Sequence, residues 1–217
     1  MNVWVVIAVV VAIVIVVGWY FASFNTFVRL RNLVDESWHQ VDVELQRRHD
    51  LVPNLVAVVE RAADFQRDTL TAVVDARARA IAVAVSAVPS VPPGATPRTV
   101  APRDVGMTEV STAENGLTSA LDRLRTLAEN YPQLTAVRNY EVLQRELADT
   151  EDRIAASRRL YNANVRALNT KVASLPSKIV ASAHHVDTAD YFEITEPAVR
   201  QNIDVASLFG NQGNARE

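Results

Sequence analysis

Apolar residues fill the chain from Val3 to Ala22 without a charged interruption, and beyond that run the apolar positions recur every three or four residues. As a helix rising about 1.5 Å per residue, the first stretch is about 30 Å long, the thickness of a bilayer's hydrocarbon core. Trp4 stands at one end and Trp19, Tyr20 and Phe21 at the other, where amphipathic rings favour the headgroup boundary. A cleaved secretory signal needs a cationic start, a shorter apolar run and a small-residue cleavage site. Only Met1 and Asn2 precede this run, so it reads as a retained transmembrane helix over residues 3–22. Arg29 and Arg31 follow the span, and the positive-inside rule then predicts a single-pass protein of the cell membrane with a cytoplasmic body.

The periodic part divides into helices at its prolines, because an interior proline lacks a backbone donor and crowds the preceding turn. Phe27, Leu30, Val34, Trp38, Val41 and Leu45 form one stripe, predicting a helix that continues from the membrane to about Arg48. Asp50 is a candidate N-cap for a second helix, with Pro53 in its first turn, where the missing N–H matters little. A continuous helix kinked at Pro53 is the rival reading. Leu55, Val58, Val59, Ala62, Phe65, Leu70, Val73, Val74 and Ile81 extend a second stripe to about Ser86. Pro89, Pro92, Pro93, Pro97 and Pro102 then mark residues 87–107 as a linker. Leu117, Leu121, Leu124 and Ala128 trace a third helix that ends before Pro132. Tyr140, Leu147, Ile154, Tyr161, Leu168 and Leu175 fall seven apart and predict a long fourth helix with a coiled-coil-like seam. The expected fold is all-α: a transmembrane helix, an elongated up-and-down four-helix bundle over residues 23–185, and a partly irregular C-terminal segment over 186–217.

Composition narrows the function classes. At 49% hydrophobic and 22% charged residues the chain is too apolar to be disordered. A net charge of −3 gives no basic excess for nucleic acid. Cysteine is absent, which removes thiol nucleophiles and thiolate metal sites. Ala8 with Ala12 and Gly18 with Ala22 have the small-residue spacing of paired membrane helices, but such residues are common in spans.

Two long stretches, Phe24 to Glu60 and Tyr131 to Pro176, closely resemble the LemA family of bacterial membrane proteins. The elements that carry the likeness are "VRLRN", "VDVELQRR", "DLVPNLV", "YPQL", "TEDRIAASRRLYN" and a late "DYFEI". The resemblance implies one N-terminal membrane helix, a helical body on the cytoplasmic side, no established enzymatic activity, and links to envelope maintenance and membrane metalloproteases. Leu175 in "ASLP" stands where the family usually has the ring of a Phe-Pro pair, and the proline linker looks longer than usual.

The search for chemistry yields one constellation. His39 and His49 lie on different helix faces, adjacent His184 and His185 diverge, and no metal-binding, nucleotide-binding or nucleophile-elbow motif occurs. No cofactor and no catalytic group is expected. Arg48, however, is in phase with the apolar Val34, Val41 and Leu55, and Glu151 and Arg158 interrupt the second half of the fourth helix's seam. Arg47, Arg48, Asp50, Glu151, Arg158, Arg159, Tyr161 and Asn162 are therefore read together as an interhelical polar layer that fixes register. The rival reading is a patch that recognises an acidic peptide or a lipid headgroup. The functional expectation is a non-enzymatic scaffold or adaptor that works beside the bilayer through a membrane-protein partner or self-association. The alternatives are a homo-oligomeric membrane organiser, and a ligand-binding receptor or hydrolase built around the polar site.

Overall fold

A computed structural model describes residues 3–62, 67–87, 106–131, 134 and 137–193. Helix α1 covers Val3–Ala62, α2 Arg67–Ala87, α3 Met107–Ala128, α4 Arg138–Ala173 and α5 Ser177–Ala183, and no strand occurs among the described residues. Residues 88–105 of the proline linker, Phe65, Pro132 and the C-terminal tail beyond Glu193 lie outside the described residues, while Ala87 and Met107 are the end of α2 and the start of α3.

The first helix decides between the two readings at Pro53: α1 runs unbroken for 60 residues with Pro53 inside it. Asp50 is accordingly mid-helix rather than an N-cap, and its carboxylate accepts a hydrogen bond from Gln46 Nε2 at 3.0 Å. The structure also explains how the proline is tolerated. Having no N–H, Pro53 leaves the carbonyl four residues back, on His49, without its helical donor. Arg77 of α2 supplies one, with Nε 2.7 Å from His49 O.

The helices alternate up and down, as their core residues record. Phe27, Trp38, Ala87, Met107, Tyr161 and Leu168 belong to one buried cluster next to the apolar span. Val52, Leu70, Leu124, Leu134 and Leu147 belong to a second, farther from it. Each helix from α1 to α4 runs between the two clusters, reversing direction each time. The seam of α4 is buried from Tyr140 through Leu168, but Leu175 is 78% exposed because α4 ends at Ala173. The first part of α1 stands clear of the bundle: it is long and apolar enough to cross a membrane, and none of its most apolar stretch is covered by the rest of the chain.

Candidate functional site

The two apolar clusters meet at a layer of charge. Arg48 lies between Leu45 of one cluster and Val52 of the other, one turn from each, and its side chain is 0% exposed. Its guanidinium pairs with Glu114 of α3 and, at 2.6 Å, with Glu151 of α4, and Nη1 also donates to Thr118 Oγ1 at 3.0 Å. The second Glu114 oxygen lies 2.9 Å from His49 Nε2. Arg77 completes the set from α2, so all four long helices contribute.

Burial opposes charge at both main members, and their partners outweigh it. Desolvation pulls the Arg48 pKa down, but the Glu114 and Glu151 carboxylates hold it above its ordinary value. Desolvation pushes Glu114 up, while the His49 hydrogen bond and the Arg48 charge bring it below the usual carboxylate range. Arg48 Nε has no acceptor, so the fork is satisfied on its two terminal nitrogens only.

Of the residues read together from sequence, the structure joins Arg48 and Glu151 and disperses the others. Arg47, Asp50 and Arg159 are exposed, and Arg158 is half-buried, with no ion pair among the described residues. Tyr161 and Asn162 lie about 15 Å farther along α4, at ten and eleven residues from Glu151, and have a different task. They hold the segment that follows α5. Asn162 Nδ2 donates to Phe192 O at 3.0 Å and its Oδ1 accepts from Phe192 N at 2.9 Å, while Asn169 makes the same pair with Ala189 at 2.9 Å each way. Tyr161 donates to Asp190 O at 2.9 Å, and Phe192 packs against Trp38 with ring centres 5.7 Å apart. Two helical turns between the asparagines, about 10 Å, match three residues of near-extended chain. The segment therefore runs antiparallel to α4 as a strap.

Arg48 and Glu114 are enclosed at this layer, whereas Glu151 is 39% exposed. A cavity of about 270 Å³ lies elsewhere, lined by Thr108, Ser111, Thr112 and Asn115 of α3 and by Asp190, Tyr191 and Glu193 of the strap. Among the described residues no group of three His, Asp or Glu side chains is arranged to hold a metal ion.

The LemA family's sequence model matches residues 37–206. The chain belongs to the LemA family. Two relatives from Paramagnetospirillum magneticum, magnetosome proteins MamQ 1 and MamQ 2, are each 26% identical over 209 residues, covering 92% of this chain and 75% of theirs. Magnetosome protein MamQ of Magnetospirillum gryphiswaldense is 25% identical over 175 residues, covering 78% of this chain and 64% of its own. In this LemA-family chain the sequence reading missed Glu114, His49, Thr118 and Arg77. Glu114 had a signal: it falls four residues after Val110 and three before Leu117, in phase with the buried face of α3. The Asn162 and Asn169 pair had one too, since they are seven residues apart on a helix whose seam is offset by one position.

Proposed function

We propose that this LemA-family protein is a non-catalytic scaffold or adaptor that crosses the cell membrane once through residues 3–22 and holds an upright helical bundle on the cytoplasmic side. The observation that carries the reading is the continuity of α1. The apolar stretch and the first bundle helix are one uninterrupted helix; Tyr20, in the last turn of that stretch, and Phe24 pack against the body's core, and Phe27 is buried in it. No hinge separates anchor from body, so the bundle acts as a post of fixed attitude rather than a domain on a leash. The Arg48 layer sets the register of that post, since an unpaired buried charge penalises every helix shift. Its output is contact with a membrane-protein partner or a second copy, in the service of envelope maintenance. The receptor or hydrolase alternative has less support, because Glu114 is enclosed and the carboxylates of the layer are paired with Arg48 and His49.

Proximity labelling in cells from an enzyme fused at the C-terminus tests side and partners together. The reading expects labelled cytoplasmic faces of membrane proteins or further copies of this chain. Labelling confined to proteins across the membrane contradicts the orientation, and turnover of a substrate by the purified protein contradicts the scaffold assignment.

A further inference from the structure

Two strongly exposed large apolar side chains of the body lie four residues apart: Leu175, 78% exposed, in the turn after α4, and Ile179, 65% exposed, on α5. Their level along α1 follows from the pairing of α1 with α4. Leu33 O accepts from Asn164, Trp38 packs on Tyr161 and Arg48 pairs with Glu151, a register in which Ala173, the end of α4, stands beside about residue 25 of α1. The turn beyond it reaches the last residues of the apolar stretch. The far end of α5 is fixed at the same level: His184 Nε2 is 2.7 Å from the Tyr20 hydroxyl, and its ring centre is 4.5 Å from that of Phe24. Short α5 thus lies across the base of the bundle, its Val180 and Ala181 buried inward and Ile179 facing out. The only two lysines of the chain, Lys171 and Lys178, flank this tip.

We infer that the α4–α5 turn is a second lipid contact, in which Leu175 and Ile179 enter the headgroup–acyl boundary of the same bilayer and Lys171 and Lys178 meet anionic headgroups. This rests on the reading that α1 spans a bilayer. The chemistry fits an interfacial surface: aliphatic side chains at the level of an aromatic belt, beside long cationic chains whose ammonium groups reach the headgroups while their stems stay apolar. Lipid at the tip braces the post at a second point, beside the span.

The absence of cysteine in the native sequence makes a clean test possible. Full-length Val11→Cys, Ile179→Cys and Val43→Cys variants, each carrying a nitroxide, are placed in nanodiscs of phosphatidylcholine and phosphatidylglycerol in equal parts, and collision rates with oxygen and with a water-soluble nickel chelate are measured. The proposal expects the 179 label to collide with nickel several-fold less, and with oxygen more, than the 43 label. Exchanging both lysines for glutamine should shift it toward the aqueous pattern. A 179 label as aqueous as the 43 label, with the 11 label lipid-like, overturns the lipid contact and leaves the span standing. Shielding of the 179 label from both reagents indicates a protein neighbour and also overturns it. An aqueous 11 label overturns the span itself.

Discussion

Arg48 and Glu114 show how much one buried pair decides. Glu114 is enclosed and is the partner of both Arg48 and His49, whereas Glu151, 39% exposed, keeps water as an alternative. Truncating Glu114 to Ala leaves a desolvated guanidinium with half its neutralisation, a loss of about 3–5 kcal/mol; Glu151→Ala should lose about 1 kcal/mol or less. Because the folded-state pKa of Glu114 lies below its ordinary value, its contribution is complete above the ordinary range near pH ~4.3 and is lost as pH falls through that range toward the folded value. Thermal melts followed by circular dichroism in detergent check both statements: Glu114→Gln should melt lower at neutral pH, yet lose less on acidification than the native chain. Equal acid sensitivity in the two would remove Glu114 from the linkage. Sequence exposed Arg48, a charge in an apolar phase, but left Glu114 unnoticed inside "STAENGLTS", whose small polar residues blur the stripe until Leu117.

At the scale of elements, one arginine reconciles a proline with a long helix. If Arg77 serves as substitute donor for the carbonyl that Pro53 orphans, the two residues are coupled. Arg77→Ala should destabilise the native chain by about 1 kcal/mol and matter less in a Pro53→Ala background, where the helix recovers its own donor. Urea unfolding of the four proteins measures that cycle, and additivity would contradict it. Periodicity left Pro53 open because a proline predicts a break wherever no outside donor is known; the donor comes from α2, which no local pattern reveals. The strap was illegible for a related reason. Its residues bond to side-chain amides rather than to a ladder, so "DTADYFE" has neither helical nor strand periodicity. Asn162→Ala removes both hydrogen bonds to Phe192, and hydrogen exchange should record roughly tenfold or greater loss of protection at that amide. Unchanged exchange would show that the aromatic contact alone holds the segment.

In the proposed reading the whole molecule is a post, because its longest helix holds both the candidate membrane span and the first helix of the bundle. The order and alternation of the four long helices followed from stripes and prolines, since each stripe needs a partner and short connections make neighbours antiparallel, but the first boundary falls after Ala62 rather than before Pro53, and α5 had no signal. The heptad seam of α4 was read one residue too far: Leu175 keeps the spacing but lies past the helix end, where spacing no longer determines the face. What local patterns do not determine is how α1 passes from its candidate span into the core, and the central claim sits there. Double electron–electron resonance between nitroxides at Val11→Cys and Val43→Cys, in nanodiscs, measures that passage. A continuous helix predicts a narrow distribution centred near about 48 Å between the two backbone positions. A broad or markedly shorter distribution would mean a hinge between anchor and bundle, and the post would be a tethered domain instead.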